Sequence, residues 1–492
     1  MMQEEILINF TPRETRVAVV KNGMLQKIDV ERSRNRSIAG NIYLGTVVRV
    51  LPGMQAAFVD IGLERSAFLH AQDLVPPQQK TKGLQQSDPK ADIASLLTEG
   101  QRILVKVVKN PMSGKGARLT GQISIPSCTL VYLPGTHGLR VAQSVQDTGC
   151  RERLLQRLQE AVENSGAGGG FILRTAGISA SVDEMESDIG FLTRMWNCIH
   201  QQVSASQPPA LVHRDFPLAV RTVRDLMWEN VGKVRVDSME MFEQMHQFLQ
   251  VVKPGVLGRI EYYPDAGPIF DLYGIEDEIQ KALHRKVMLK SGGYLVIEKT
   301  EAMTTVDINT GSFVGRRNLE ETIFKTNMEA AVVLARQLRV RNLGGIILVD
   351  FIDMAMAEHR DRVMRTLEYE LSRDRNKAQV NEMTALGLVE ITRKRTSESL
   401  EEVLTEICPA CDGRGIQKSR GTICYEIFRE MLRTARESDA AEYLIVASQP
   451  IVDWLQEEEA AGLADLEAVL ERKITVRVKP GYYQEQYDVV PV

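Results

Sequence analysis

The sequence predicts a multidomain α/β protein. Two strand-like segments that end in aspartate flank one helical stretch, and a run of short strands punctuated by Gly and Pro lies far upstream of them. A chain of 492 residues is also too long for one hydrophobic core and should hold roughly three or more domains or subdomains.

The strand–helix–strand unit points to chemistry. Its first strand reads MTTVDIN from Met303 to Asn309, and its second reads GIILVDFID from Gly345 to Asp353. In the stretch between them Asn318 can cap a helix and Glu321 sits at its third position. Ile323, Ala330, Leu334 and Leu338 share one face of that helix. A crossover of this kind makes the two strands parallel neighbours, so Asp307 and Asp350 meet at their carboxyl ends, where open α/β sheets carry their sites. Paired carboxylates repel unless a cation joins them, and hard oxygen ligands favour magnesium or manganese. Aspartate after a buried strand also serves as a cap or turn former. Two of them across one crossover, with Asn309 just beyond the first, favour a metal site for phosphate chemistry. Asp353 offers a third ligand or a cap for a helix starting near Ala355, and the cap is the preferred reading.

Taken in order, the chain opens with short strands at Ile6–Asn9, Arg16–Val20 and Leu25–Val30, the last two joined at Asn22-Gly23. From Asn41 closely spaced strands follow, then a polar loop from Pro76 to about Lys90, then strands at Gln101–Lys109 and around Ala117–Ile123. Short strands with a long insertion suit a small OB-type barrel, whose exposed face commonly stacks nucleotide bases. Phe58 and Phe68 lie on its strands, with Tyr43 and Lys115 nearby. Core packing is the ordinary fate of a strand Phe, but Arg65 and His70 give Phe68 a polar setting. Residues 125–216 read as a mixed segment with a helix near Arg151–Glu163 and a strand at Phe171–Leu173. Arg174 and Thr175 follow in a turn and could hold a phosphate, although an Arg-Thr pair in a turn is common. From Leu218 to about Lys286 the chain reads as helical, and Gly292-Gly293 turns it into the strand before Met303.

Near the carboxyl end, Cys408-Pro-Ala-Cys411 has the spacing of a zinc knuckle. A closed zinc site takes four ligands. Cys128, Cys150 and Cys198 are isolated, and Cys424 falls in a predicted helix as a packed thiol. Two thiolates from each of two chains complete the set most economically, and a redox pair is the alternative. A helix–strand module from about Thr422 to Val492 ends the chain.

At 43% hydrophobic and 25% charged residues the composition is that of an ordinary folded protein. The acidic start, MMQEEILINF, lacks the basic region of a signal peptide, and no apolar run reaches membrane-spanning length. Six cysteines in so long a chain fit a reducing cytoplasm. The net charge of −5 gives no bulk attraction to polyanions, so any such site needs local clustering. One cluster holds Arg360, Arg362, Arg365, Arg373, Arg375, Lys377 and Arg393-Lys394-Arg395, some of them on solvated helix faces. Nothing resembles a Ser-His-Asp set, a P-loop, a HExxH helix or a dinucleotide fingerprint.

Five blocks occur together and in order: NIYLGTVVRVLPGMQAAFVDIGLERSAFL, GGYLVIEKTEAMTTVDINTG, RNLGGIILVDFIDM, ALGLVEITRKRT and CPACDGRG. They closely resemble the ribonuclease E/G family, and the resemblance runs from Ile6 to the last residues. It implies a split RNase H-like subdomain (1–38 and 219–282) interrupted by an S1-type OB barrel (39–124) and a 5′-sensor region (125–218). A DNase I-like catalytic subdomain (283–404), a zinc link (405–418) and a small C-terminal dimerisation domain (419–492) follow. By motif match Asp307 and Asp350 would hold one magnesium, with manganese an alternative, and Asn309 would position the scissile phosphate. Arg174 and Thr175 match a pocket for a 5′-monophosphate end, and Phe58, Phe68 and Lys115 match residues that grip RNA beside the cut. Lys377 stands where the family has an arginine supporting that pocket, which keeps the charge and loses the bidentate fork. Cys408 and Cys411 would share a structural zinc between two chains, as a homodimer or a higher oligomer without a membrane segment. The implied activity is hydrolysis of single-stranded RNA to 3′-hydroxyl and 5′-phosphate ends, in 16S ribosomal RNA maturation and messenger RNA decay. The competing classes are an RNA-binding scaffold with a structural ion and a metal phosphoesterase acting on DNA or nucleotides.

Overall fold

Strands β1 (Glu4–Phe10), β2 (Glu14–Lys21) and β3 (Met24–Arg32) form an antiparallel meander. The turn from β2 to β3 puts Asn22 and Gly23 at φ of 53° and 72°, which Asn-Gly accepts readily and which suits the twist of a hairpin. These features come from a computed structural model that describes residues 4–74, 92–111, 115–145, 147–226, 231–264, 267–312, 319–374, 376–438 and 440–492. The expected Pro76–Lys90 loop and the Asn318 cap lie outside the described residues. The chain divides into two compact units, Met1–Val403 and Leu404–Val492.

After β3 the chain builds a closed barrel from β4 (Ile42–Leu51), β5 (Ala56–Asp60), β6 (Ala67–His70), β7 (Arg102–Lys109) and β8 (Arg118–Thr120). Closure comes from β4, which pairs with both β5 and β7, as an OB-type barrel requires. Val47, Ala57, Val59, Ala67, Leu69, Val105, Val107 and Leu119 fill its interior. Tyr43 belongs to that interior as well, and so is no part of an exposed aromatic face.

A second sheet holds β9 (Ile125–Pro126), β10 (Leu130–Leu133), β11 (Gly138–Val141) and β12 (Gly170–Leu173), in the order β11-β12-β10-β9. Two helices, Thr148–Ser165 and Val182–Ala205, bury Leu154, Leu158, Ile189 and Leu192 in one core with Phe171 and Leu173. The first is three residues longer at its start than Arg151 because Asp147 caps it, accepting from the Cys150 N–H. The second opens on a capping box between Ser181 and Glu184. Strand β13 (Ala210–His213) then returns to pair with β4.

The segment expected to be helical from Leu218 to Lys286 contains two strands, β14 (Val231–Val236) and β15 (Ile260–Tyr262), among its helices. β14 lies parallel to β1, and β15 parallel to β14, which completes a sheet ordered β15-β14-β1-β2-β3. The physical reason is tertiary. Val231, Val234 and Val236 are buried against a partner more than two hundred residues away, and a six-residue strand between longer helices shows little periodicity of its own.

The last sheet of this unit contains β16 (Lys286–Met288), β17 (Tyr294–Lys299), β18 (Met303–Asn309), β19 (Gly345–Asp350), β20 (Ala378–Val380) and β21 (Leu388–Arg393). Its order is β16-β17-β18-β19-β21-β20, and only β18 and β19 run parallel. The crossover helix, Leu319–Val340, joins them. Glu321 stands at its third position as expected. Ala330, Leu334 and Leu338 are fully buried against the sheet, with Ile323 partly so. Each of these leucines contributes about 1.5–3 kcal/mol of burial.

The second unit holds β22 (Glu442–Ala447), β23 (Lys473–Val478) and β24 (Tyr487–Pro491) in the order β23-β22-β24. They pack on helices Arg420–Glu437, Gln449–Glu457 and Ala460–Leu470. Among the described residues no helix is long and apolar enough to cross a membrane.

Candidate active site

Pleating decides where the aspartates go. In β18 Thr304, Val306 and Ile308 are buried, which turns Asp307 and Asn309 to the opposite, open face. In β19 Ile347 and Val349 are buried and Asp350 is turned the same way. The parallel register sets Asp307 directly against Asp350, at a strand spacing of about 4.8 Å. Asn309 donates from Nδ2 to Asp307 Oδ2 at 2.8 Å, so the three expected residues form one group. Partial loss of hydration against the sheet end, then the charges of Asp307 and Asp353, hold the Asp350 carboxyl above the usual carboxylate range. Both carboxylates still reach solvent. A cation would reverse the repulsion, which is the chemistry a divalent metal needs.

Asp353 does not cap the following helix. That helix, Ala357–Ser372, has Met356 at its N-cap without a side-chain bond. Glu320, in the first turn of the crossover helix, takes the role instead, accepting from the backbone N–H of Ala355 at 3.3 Å and of Met356 at 3.2 Å. His359 pairs with the same carboxylate at 3.2 Å and stacks on Phe324 with ring centroids 4.2 Å apart. Asp353 lies beside Gly387, where any Cβ would come within 3.2 Å of its Oδ1 and where φ is +77°. Among the described residues no group of three or more His, Cys, Asp or Glu forms a metal cluster. Two carboxylates and open positions nevertheless fit magnesium, which keeps several waters and binds through one or two carboxylates.

A residue that sequence reasoning missed controls this corner. Asn327 is fully buried inside the crossover helix; its Nδ2 donates to the Ile352 carbonyl at 2.7 Å and its Oδ1 accepts from the Ile352 N–H at 3.2 Å. It continues a strand-like pairing just past Asp350. The one trace in the sequence is an amide on the apolar face of an amphipathic helix, where a polar residue needs a partner.

Arg174 and Thr175 sit where β12 runs into a short 3-10 turn, Thr175–Gly177. Arg174 donates from Nη1 to the Ser127 carbonyl at 2.5 Å and from Nη2 to Asp225 Oδ1 at 2.8 Å. Thr175 shares a hydroxyl hydrogen bond of 2.7 Å with Ser144. Asp225 also accepts from Arg224, which reaches Asp215 at 3.0 Å. Burial works to raise the Asp225 carboxyl, but Arg224 and then Arg174 outweigh it and hold it below its ordinary value. Sequence reasoning missed Asp225, since nothing local links it to Arg174. Lys377 is exposed just before β20, and its carbonyl accepts from the Lys394 N–H at 3.1 Å. It lines an open groove with Gly345, Thr392 and Lys394, at the opposite end of β19 from Asp350, about 17 Å away at strand rise. Among the described residues no hydrogen bond or ion pair links Lys377 to Arg174.

On the barrel, Phe58 and Phe68 face each other across β5 and β6 with ring centroids 6.1 Å apart at 72°. Their strand neighbours Ala57, Val59, Ala67 and Leu69 fill the core, so both rings lie on the outer face and are half-buried. The ordinary core role of a strand Phe does not hold for either. Register extends the row to Arg49 beside Phe58, and to Arg118 and then Lys109 beyond Phe68. Lys115 is exposed next to Gly116, whose backbone runs so close to Ser66 that a Cβ would fall 2.3 Å from its carbonyl oxygen.

In the second unit Cys408 is exposed and Cys411 half-buried. The Gly415 N–H donates to Cys411 Sγ at 3.4 Å, and Asp412, Gly413 and Gly415 take positive φ, a tight loop around the sulfur. The N–H groups of Ala410 and Cys411 hold the Cys408 thiol below its ordinary value, which favours the thiolate a metal needs. Cys424 is buried within the Arg420–Glu437 helix, and burial pushes its thiol up to about 11, the behaviour of a packed residue.

A mixed α/β chain that pairs a closed OB-type barrel with adjacent strand-end carboxylates has the parts of a nucleic-acid phosphodiesterase. The sequence profile of the ribonuclease E/G family matches residues 124–396. Ribonuclease G of Escherichia coli (strain K12) is 48% identical over 490 residues, covering 99% of this chain and 100% of that protein. Ribonuclease G of Haemophilus influenzae is 46% identical over 488 residues, 99% of each. Ribonuclease E of Escherichia coli (strain K12) is 32% identical over 470 residues, 94% of this chain but 44% of that longer protein. The chain belongs to the ribonuclease E/G family.

Proposed function

We propose that this chain is a metal-dependent endoribonuclease that cuts single-stranded RNA in the cytoplasm and acts in ribosomal RNA 5′-end maturation and messenger RNA decay. One observation carries the reading: Asp307 stands in register with Asp350 across parallel strands, in a chain 48% identical over its whole length to a ribonuclease G. Asp307 and Asp350 bind the ion, and Asn309, fixed on Asp307, orients the scissile phosphate. A bound magnesium or manganese supplies Lewis-acid stabilisation of phosphate charge and lowers the pKa of a bound water. Hydrolysis by water leaves 3′-hydroxyl and 5′-phosphate ends. Phe58, Phe68 and Lys115 hold unpaired bases and backbone, a role supported by the outward rings and flanking cations; stacking of this kind requires exposed base faces, hence single strands.

Arg174 and Thr175 form the 5′-monophosphate pocket in this reading, with Lys377 supporting it from the catalytic sheet. The Arg174–Asp225 pair supports a guanidinium already oriented before RNA arrives. This reading divides the chain into RNase H-like (1–38 and 219–282), S1-type (39–124), 5′-sensor (125–218) and DNase I-like (283–404) parts, the first supported by the sheet that joins β1–β3 to β14 and β15. A zinc link (405–418) and a dimerisation domain (419–492) follow, with Cys408 and Cys411 sharing zinc between two chains.

A labelled single-stranded RNA oligomer and a DNA oligomer of matched sequence test the activity. The RNA should be cut only when magnesium or manganese is supplied, and the DNA should survive. Equal cleavage of both would favour a broader phosphoesterase, and metal-independent or absent cleavage with retained binding would favour a scaffold.

A further inference from the structure

We propose that Asp188, a buried carboxylate on the Val182–Ala205 helix, is a positioning residue for the 5′-end pocket, acting through the 127–130 turn on the Arg174 guanidinium. The proposal rests on the reading of Arg174 and Thr175 as the 5′-phosphate site.

Asp188 is completely buried, and no Lys or Arg forms an ion pair with it among the described residues. Its charge is met by a ring of donors instead. Ser127 donates its hydroxyl to Oδ1 at 2.7 Å; Thr129 donates both its N–H, at 2.8 Å, and its hydroxyl to Oδ2. The Leu130 N–H also points at the carboxylate, and burial still pushes its carboxyl up. The turn is closed by Ser127 donating to the Leu130 carbonyl at 2.8 Å.

The same two residues serve Arg174 with their other groups. The Ser127 carbonyl accepts from Arg174 Nη1 at 2.5 Å, and the Thr129 carbonyl accepts from the Arg174 backbone N–H at 2.8 Å. The 3-10 turn that carries Thr175 presses on Thr129 so closely that a Cβ on Gly177 would lie 2.8 Å from the Thr129 carbonyl. Asp188 thus gathers the hydroxyl and N–H side of the turn, which leaves two carbonyls aimed at Arg174. The backbone N–H and one arm of the Arg174 guanidinium are held by residues fixed by Asp188, while Asp225 holds the other arm. A planar guanidinium binds phosphate bidentately only when its plane is set in advance, so loosening the turn should cost end recognition before it costs the fold. Asparagine is the informative replacement. Its shape is that of aspartate, but its NH2 faces donors that need an acceptor.

The test compares kcat/KM on one single-stranded RNA carrying either a 5′-monophosphate or a 5′-hydroxyl, for the wild type, Arg174→Ala and Asp188→Asn. The wild type should prefer the monophosphate and Arg174→Ala should lose that preference. Asp188→Asn should lower it roughly fivefold, as one weakened hydrogen bond would, through KM for the monophosphate substrate. A wild type without preference, or one whose preference survives Arg174→Ala, sinks the pocket assignment and this proposal with it. A folded Asp188→Asn that keeps the full preference, or slows both substrates equally, overturns the role of Asp188 alone. If Asp188→Asn does not fold, Thr129→Val, which removes one donor and keeps the carbonyl, must lower the preference or the proposal is wrong.

Discussion

Ionising Asp350 in the folded chain costs hydration at the sheet end and, after that, places a second negative charge against Asp307 with Asp353 close behind. Its folded pKa therefore stands above the unfolded value, and the sign of the consequence is fixed. The contribution to stability is complete below the unfolded value, about 3.9, and is lost as pH rises through the folded one. At neutral pH, with metal chelated, Asp350→Asn should accordingly melt higher than the wild type, and the gap should shrink as pH falls toward the carboxylate range. Magnesium should raise the melting temperature of the wild type and do little for the variant. The same substitution should abolish RNA cleavage while nearly preserving RNA binding, since it removes charge and little contact area. Melting curves at several pH values decide the matter: a variant less stable than wild type at pH 7 without metal would show that the charged Asp350 carboxyl is not unfavourable in the folded site. The aspartate pair was legible because two strand patterns flanking one helix each carry an aspartate at or near the carboxyl end. Asp353 was misread because its expected role is filled by Glu320, on another helix, and no local pattern announces that exchange.

The crossover helix joins sequence pattern to site geometry. Its apolar face was readable from periodicity, and its burial of Ala330, Leu334 and Leu338 places β18 beside β19. Its second task was hidden: Asn327 and Glu320 clamp the segment after Asp350 at Ile352 and at Ala355–Met356. Asn327→Leu keeps the bulk and leaves the Ile352 N–H and carbonyl without those partners, which should cost about 1–3 kcal/mol of stability. It should also raise the magnesium concentration needed for half-maximal cleavage, because the Asp350 end of β19 loses its anchor. Urea denaturation and a metal titration measure the two effects separately; unchanged values in both would mean that the loop finds its place without the helix. Strands β14 and β15 escaped sequence reading for a related reason. β14 pairs with β1, the first strand of the chain, and β15 pairs only on β14, so the determinant is a distant surface.

Across the whole molecule the zinc question turns on counting donors. The motif CPACDGRG announces a knuckle, and the loop around Cys411 has the N–H to sulfur contact and positive-φ residues such a turn uses. One chain offers two thiolates, while a closed structural zinc site takes about four ligands. Cys424 is packed in a helix core, where burial drives its thiol up to about 11, the setting of a structural thiol. In the proposed reading a second copy would supply the missing pair with twofold symmetry, each protomer giving Cys408 and Cys411. Elemental analysis should then find about one zinc per two chains. Sedimentation should show that Cys408→Ser or Cys411→Ser weakens self-association. Activity should fall only as far as the dimer is lost, because Asp307 and Asp350 belong to the other compact unit. One zinc per chain, or serine variants that remain dimeric, would rule out the shared site. A protein without zinc whose Cys408 and Cys411 join reversibly in a disulfide would point to the redox pair instead.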